Sequence, residues 1–190
     1  EGEARDWAFT GVGVLPKDDR IVQTLNAQDG LYTLVIKHPD GRLEPQVIGS
    51  IRELLHAPTQ PEAVLGVMSD PAIKIVSLTI TEGGYFIDPA TGEFDPHHPS
   101  IQSDLAENAV PSTAFGFIVE ALRRRREAGV APFTVMTCDN LPGNGDVARG
   151  TITAFAKLKD ADVGEWIGKN VSFPNCMVDR ITPVTTAEDI

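Results

Sequence analysis

The fold of this chain is decided by the stretch Phe133-Thr134-Val135-Met136-Thr137-Cys138-Asp139-Asn140-Leu141-Pro142-Gly143-Asn144-Gly145. A short apolar run stops there at several polar residues, and a Pro-Gly turn follows. A buried parallel strand ends in this way at the carboxyl edge of a sheet, which is where α/β proteins place their sites. We therefore predict a strand over residues 133–137, with the polar residues after it near a ligand site.

Strand and helix patterns alternate along the rest of the chain. Strands are predicted at residues 7–14, 31–36, 47–51, 73–80, 133–137 and 171–173, and helices at 18–27, 61–68, 112–128, 146–159 and 163–169. A Pro-Asp-Gly turn signal makes 31–51 a β-hairpin, and the prolines and glycine of 86–103 predict a long surface loop. The alternation predicts one α/β domain with a largely parallel sheet and flanking helices.

Composition and charge exclude several classes of protein. The 190 residues carry a net charge of -11, whereas non-specific nucleic-acid binding requires a basic surface. No apolar run approaches the roughly 20 residues that span a bilayer, and the charged first residues do not resemble a signal peptide. The two cysteines are too far apart for a CxxC site. We expect a cytoplasmic protein that binds neither nucleic acid nor membrane.

A second informative stretch carries a family resemblance. It reads Ser172-Phe173-Pro174-Asn175-Cys176-Met177-Val178-Asp179-Arg180-Ile181-Thr182-Pro183. Together with residues 133–145 it resembles the mannitol 2-dehydrogenase family of polyol-specific long-chain dehydrogenases, and the likeness extends from Trp7 to about Thr185. The resemblance implies a Rossmann-like domain and transfer of a hydride between a sugar alcohol such as mannitol and NAD, which yields a ketose such as fructose, without a metal. The alternatives are a sugar-acid reductase of the same family, acting on fructuronate or similar, and a non-catalytic α/β binding module.

A glycine pair near the start of the chain is a misleading signal. Residues 11–16 begin like the dinucleotide fingerprint GxGxxG, but Pro16 stands where the third glycine should be, and that position needs a small residue for close helix–strand packing. The resemblance implies instead that 7–14 is the second strand of the nucleotide-binding unit. The first βα unit, with the glycine-rich turn, would then lie in a missing segment before Glu1.

An acidic pair follows this strand. Asp18 and Asp19 match the acidic pair of the family, whose carboxylates would accept hydrogen bonds from the adenosine ribose and disfavour NADP. The alternative is that both residues only cap and charge the first turn of the next helix. Lys17 and Arg20 flank the pair, so tolerance of NADP is left open.

Two further residues match family positions near the substrate. The resemblance makes Asn140 one half of an oxyanion-binding pair, whereas an Asn before Pro142 could instead bond its own backbone in a turn. Asp179 matches a family residue of the substrate and nicotinamide region, where it could accept hydrogen bonds from substrate hydroxyls. A structural salt bridge with Arg180 is the alternative.

The remaining expectations concern the coenzyme edge and the general base. Thr79, Thr81 and Glu82 end the strongest predicted strand and resemble the coenzyme-facing edge of the family. In the family, a lysine of a helical C-terminal domain is the base, and no lysine here matches that motif. We therefore expect residues 1–190 to be a partial dinucleotide-binding domain, inactive alone, whose partner is the absent C-terminal domain.

Two clusters are given structural interpretations. His97 and His98 lack neighbouring ligands at useful spacing and are expected in a solvated loop. The four arginines 123–126 end a helix, where basic residues suit the helix dipole, and are expected to be solvated.

Overall fold

A computed structural model of the protein describes residues 6–178. The strands are β1 (Phe9–Gly13), β2 (Tyr32–Lys37), β3 (Leu43–Ile48), β4 (Ile51–His56), β5 (Ile75–Leu78) and β6 (Thr134–Thr137). The α-helices are α1 (Asp19–Ala27), α2 (Pro61–Ser69), α3 (Pro99–Leu105), α4 (Ala114–Glu127), α5 (Asn144–Lys159) and α6 (Ala161–Asn170). The chain divides into two compact units. One contains the residues up to Asp70 together with Ser103–Arg124, and the other contains Pro71–Gln102 and the residues from Arg125 onward.

The first unit is built on a parallel pair, in which β1 runs beside β4 with Gly11 opposite Leu54 and Gly13 opposite His56. Helix α1 connects this pair and packs against β4, with Val22 buried. The hairpin β2–β3 is inserted between α1 and β4. This is the strand–helix–strand arrangement expected of a nucleotide-binding unit.

The predicted hairpin is confirmed, but its return strand was placed too late in the chain. That strand begins at Leu43, and residues 51–56 form the separate strand β4. Pro45 lies inside β3 opposite Val35, a position that proline tolerates because a two-stranded sheet has free edges. The proline and the polar residues around it hid the first half of the strand from the sequence pattern.

The second unit contains the parallel pair β5–β6, with Ile75 opposite Thr134 and Leu78 opposite Thr137. Helix α5 follows β6 and packs against it, and α6 packs against α5. The buried face of α5 is formed by Ala148, Ile152, Phe155 and Ala156. Their spacing of four, three and one residues places them on one side of a helix.

The expected single sheet is seen as three strand pairs, two parallel and one antiparallel, with no ladder joining them among residues 6–178. The strand predicted at residues 171–173 is not formed, although the Val135 amide donates to the Ser172 carbonyl over 3.0 Å. The prediction of a long surface loop over residues 86–103 was also wrong in part, because helix α3 begins at Pro99. Proline is well suited to the first turn of a helix, so it marked a helix start here rather than a loop.

The four arginines 123–126 were expected to be solvated, and this prediction was wrong for Arg125. Arg125 is 2% exposed, and its Nε donates to the Ala131 carbonyl over 2.8 Å. Its guanidinium lies 5.2 Å from the ring centroid of Phe133, a cation–π contact. This arginine therefore joins the end of α4 to the start of β6. Across the described residues, none of the helices is long and apolar enough to cross a membrane.

Candidate active site

Asn140 lies just past the end of β6 on an exposed turn. The Leu141 amide donates to the Asp139 carbonyl over 2.9 Å, so Asn140 is the central residue of a tight three-residue turn. Its side-chain amide makes no hydrogen bond to another residue between 6 and 178. The alternative in which this amide bonds the local backbone is therefore not seen in the described part of the chain.

A cleft of about 430 Å³ opens at this turn. Its two walls are Asp139, Asn140, Leu141, Pro142, Gly143 and Asn144 on one side and Asn175, Cys176, Met177 and Val178 on the other. Residues 139–144 and 175–178, which belong to the two stretches that carry the family resemblance, thus meet at one cleft. Asp179 follows Val178 directly in the sequence but lies outside the described residues, so its role stays a prediction.

Asn144 joins the two walls, and sequence reasoning did not single it out. It is 2% exposed, and its Nδ2 donates to the Asp139 carbonyl over 3.1 Å and to the Cys176 carbonyl over 2.9 Å. Its Oδ1 accepts from the Cys176 amide over 2.9 Å. Both N–H donors and the carbonyl oxygen of this buried amide are therefore hydrogen-bonded, which fixes the two segments against each other.

Asn175 fastens the second wall to the start of α5. Its Oδ1 accepts hydrogen bonds from the amides of Gly145 and Asp146, over 2.8 and 3.2 Å. A Cβ at Gly145 would lie 2.4 Å from the Pro174 carbonyl oxygen, so only glycine permits this approach. The Pro-Gly-Asn-Gly run after β6 was a signal for such close packing, but its partner segment could not be read from it.

Asp139 is the second residue that sequence reasoning missed. It is 8% exposed, and its carboxylate accepts from the Ile80 amide over 3.2 Å, the Thr81 amide over 2.9 Å and the Tyr85 hydroxyl over 2.7 Å. That hydroxyl also bonds the Thr137 hydroxyl. Three donors from the segment after β5 thus hold this buried carboxylate in place. Asp139 thus connects the end of β6 to the turn after β5.

Thr79, Thr81 and Glu82 lie in that turn and are all exposed. Because β5 and β6 are parallel neighbours, their carboxyl ends lie at the same edge, and the turn after β5 shares this edge with Asn140. Thr81 has φ +60°, a conformation that β-branched residues rarely adopt and that is found at functional turns. The structure therefore brings together Asn140 and the three predicted coenzyme-edge residues.

Asp18 and Asp19 belong to the first unit, at the carboxyl end of β1. Asp18 Oδ2 accepts from the Leu15 amide over 2.8 Å, and Asp19 Oδ2 accepts from Gln23 Nε2 over 2.8 Å. Asp18 thus caps the short 3-10 turn at Pro16–Asp18, whereas α1 itself has no side-chain cap hydrogen bond and Asp19 bonds a side chain of the same helix. A Cβ at Gly13 would lie 2.7 Å from Asp18 Cβ, so this glycine lets the acidic turn approach the strand.

His56 supports the same turn and was not anticipated. It is 5% exposed, with Nε2 3.2 Å from the Leu15 carbonyl oxygen and Nδ1 3.1 Å from the Thr59 hydroxyl. Nδ1 is also 3.9 Å from Asp19 Oδ1. The imidazole therefore contacts both the turn that carries the acidic pair and one of its carboxylates.

No group of three His, Cys, Asp or Glu side chains suited to a metal ion occurs among residues 6–178. His98 Nδ1 accepts from the Ser100 amide over 3.2 Å, and its ring lies 4.8 Å from that of Phe86. Cys138 and Cys176 are free thiols. Burial raises the pKa of the Cys138 thiol, which keeps it protonated and unreactive near neutral pH.

Comparison with known proteins identifies the family. The sequence model described as the mannitol dehydrogenase Rossmann domain matches residues 3–190. This chain belongs to that family. The family resemblance and the Rossmann-like fold expected from the sequence are thereby confirmed.

Individual relatives are similar over nearly the whole chain. The mannitol 2-dehydrogenase of Cereibacter sphaeroides is 53% identical over 97% of this chain, which spans 38% of that protein. The polyol:NADP oxidoreductase of Gluconobacter oxydans is 50% identical over 97% of this chain and 39% of its own length. The Pseudomonas fluorescens mannitol 2-dehydrogenase, solved as a ternary complex with NAD and D-mannitol, superposes with a TM-score of 0.93 at 50% identity, covering 98% of this chain and 38% of that one. A substrate-free D-sorbitol dehydrogenase gives a TM-score of 0.93 at 49% identity, over 98% and 39% of the two chains.

Proposed function

We propose that this chain is the coenzyme-binding domain of an NAD-dependent polyol 2-dehydrogenase, which interconverts a sugar alcohol such as mannitol and a ketose such as fructose. The similarity to the Pseudomonas fluorescens complex with NAD and D-mannitol carries this proposal. The helical C-terminal domain that the family resemblance implies would complete the enzyme, which we place in the cytoplasm.

The residues at the end of β1 fit an adenosine ribose. Asp18 and Asp19 each offer a carboxylate in the turn after this strand, and the strand approaches them closely because Gly13 has no side chain. An acidic residue after the second strand of a Rossmann unit is the ribose ligand of NAD-binding proteins. The exposed turn Thr79, Thr81 and Glu82 would contact the coenzyme at the carboxyl edge of β5.

Asn140 would act on the reacting oxygen. Bound NAD would supply the hydride acceptor, while the substrate hydroxyl loses its proton and negative charge develops on its oxygen. An amide donor already in place at that oxygen stabilises the charge without reorganising in the transition state. The exposed, non-titrating Asn140 amide at the edge of the cleft suits this role, and Asp179 would accept hydrogen bonds from substrate hydroxyls. The resemblance places the general base, a lysine, in the C-terminal domain.

Steady-state assays of the full-length protein test the proposal. With saturating NAD, it should oxidise mannitol or a related sugar alcohol with reduction of the coenzyme, and it should reduce fructose with NADH. Turnover of fructuronate-type substrates in preference to polyols would identify a sugar-acid reductase instead. Coenzyme binding with no turnover of any polyol, ketose or sugar acid would identify a non-catalytic binding module.

NADP is a second candidate coenzyme because one relative is named a polyol:NADP oxidoreductase. Lys17 and Arg20, which flank the acidic pair, are both exposed and could approach a 2′-phosphate. The carboxylates of Asp18 and Asp19 would oppose that phosphate, so we expect NAD to be preferred. The ratio of kcat/KM for the two coenzymes, measured with one polyol, decides between them.

A further inference from the structure

Asp139 bonds two turns of the second unit, the turn after β5 that contains Thr81 and the turn after β6 that contains Asn140. Its carboxylate accepts the backbone amides of Ile80 and Thr81, which begin the turn after β5. Its own carbonyl accepts the Leu141 amide and the Asn144 side chain, which hold the turn around Asn140. One residue therefore bonds the coenzyme-edge turn through its side chain and the Asn140 turn through its main chain.

The turn that Asp139 holds does not have a conformation that its sequence favours. Thr81 has φ +60°, and a β-branched residue keeps such a backbone only where the surroundings impose it. The turn is also tightly folded, since a Cβ at Gly84 would lie 2.7 Å from the Ile80 Cβ. The amide hydrogen bonds from Ile80 and Thr81 to Asp139 oppose relaxation of this backbone, together with the bond from the Gly84 amide to the Thr81 carbonyl over 3.0 Å.

Tyr85 fixes the carboxylate itself. Its hydroxyl donates to Asp139 Oδ2 over 2.7 Å, and its ring is fully buried. Burial raises the pKa of the phenol above its usual range, so the hydroxyl is protonated near neutral pH and can donate to the carboxylate. No salt bridge joins Asp139 to a described residue, so its carboxylate is held by hydrogen bonds.

We propose that Asp139 is a positioning residue that locks the coenzyme-facing turn at Thr81 and the turn of Asn140 into one arrangement. This inference rests on the proposed function, because it assigns the two turns to the coenzyme and to the reacting oxygen. Asp139 itself need touch neither ligand. It would set the distance between them, and a displacement of about 1 Å at such a site can reduce turnover by about 10²-fold.

The test compares Asp139→Asn with Asp104→Asn in the full-length protein. An asparagine keeps one acceptor oxygen but turns an NH₂ group toward amide donors, so it cannot hold both the Ile80 and the Thr81 amide. We expect Asp139→Asn to raise KM for NAD and lower kcat, each by about tenfold or more. Asp104→Asn makes the same change at a buried carboxylate of the first unit, which also accepts two backbone amides, so its kcat and KM should stay within about twofold of the wild type even where its stability falls. Melting temperatures are recorded for both variants.

The outcomes separate the inference from the function on which it depends. Inactive wild-type protein would overturn the proposed function. Active wild-type protein with an unchanged Asp139→Asn variant, or with kinetic changes equal in both variants, would overturn the positioning role. If the Asp139→Asn variant does not fold, backbone amide hydrogen exchange of the wild type tests the positioning role instead. Slow exchange at Ile80 and Thr81 beside fast exchange at the exposed Glu82 supports the proposal, and equally fast exchange at all three overturns it.

Discussion

At the residue scale, the exposed side chain that would contact the substrate is followed and preceded by buried side chains that hold its turn in place. Asn140 is exposed, whereas Asp139 and Asn144 are 8% and 2% exposed. The side chains of the buried pair hydrogen-bond other residues of the protein, whereas the exposed Asn140 amide would be available to a ligand. Residues that are close together in the sequence thus have opposite roles because the chain turns between them.

Replacing Asn140 with alanine tests whether its side-chain amide stabilises the charge on the reacting oxygen. Asn140→Ala should lower kcat by about 10²–10³-fold, because one donor to the reacting oxygen is removed, while the Kd for NAD stays nearly unchanged. Asn170→Ala is the matched control, since it removes an exposed amide that donates to the Trp166 carbonyl at the end of α6. Steady-state kinetics and coenzyme titration of both variants provide the comparison. An unaltered turnover number for Asn140→Ala contradicts the oxyanion role.

Replacing Asp19 tests the choice of coenzyme. Asp19→Ala should narrow the preference for NAD over NADP, because a carboxylate that bonds ribose hydroxyls and repels a 2′-phosphate is removed. Asp162→Ala, which removes an acidic residue from the first turn of α6, controls for the loss of one charge. The measurement is kcat/KM for each coenzyme. If the ratio does not change, Asp19 is a helix-end residue and not a ribose ligand.

At the element scale, a buried carboxylate organises the start of α4. Asp104 is 1% exposed and accepts from the amide and hydroxyl of Ser112 and of Thr113, over 2.6 to 2.9 Å. Gly116 lies against it, and a Cβ there would be 2.2 Å from Asp104 Oδ2 and 3.1 Å from Pro111 Cβ. The helix can pack in this way only because its first turn lacks a side chain at that point.

Two glycine-to-alanine substitutions should therefore change the free energy of unfolding in opposite directions. Gly116→Ala should lower the free energy of unfolding by about 1–3 kcal/mol, through overpacking against Asp104. Gly66→Ala in α2 should raise it by about 0.5–1 kcal/mol, because a Cβ at Gly66 meets nothing within 4 Å and alanine favours the helix. Urea denaturation of both variants measures the difference. Destabilisation by both, to the same extent, would argue against the Asp104 contact.

An ion-pair network connects α4 to α2 and should respond to acid. Glu120 bonds Arg123 and Arg124, and Arg124 also bonds Glu62. The Arg123 guanidinium and then Arg124 hold the pKa of Glu120 below its usual value. A depressed folded-state pKa contributes stability that is present above the unfolded value, near 4.5, and is lost as the pH falls through the folded value.

The corresponding experiment measures denaturant midpoints of the wild type and Glu120→Gln between pH 7 and pH 3. The variant should be less stable at neutral pH, and the difference should shrink as the pH falls below about 4.5. Ser103→Ala, an exposed residue next to Asp104, controls for general acid sensitivity. A stability difference that does not depend on pH would show that the ion pairs contribute nothing measurable.

At the scale of the whole molecule, we predict that activity does not depend on a metal ion. This prediction rests on the family resemblance, which implies zinc-independent catalysis. Dialysis of the full-length enzyme against a strong chelator should leave kcat and KM unchanged. Loss of activity that added Zn²⁺ restores would contradict this prediction.

The sequence predicted the local features of the fold well. Apolar, β-branched runs with abrupt polar ends located β5 and β6, and helical spacing located α1, α4 and α5, because these signals depend on residues a few positions apart. It also predicted the family, from the stretches 133–145 and 172–183. The errors lay where the local signal was mixed, as at Pro45 in β3 and Pro99 in α3.

The sequence by itself determined the α/β class, most of the elements and the identity of Asn140 as a candidate group. Only the tertiary structure decided which residues support it. The Asp139 carboxylate meets the Thr81 amide 58 positions away, and the Asn144 amide meets Cys176 32 positions away. No local pattern encodes such contacts, because they arise when parallel strands bring their ends to one edge and the chain packs around them.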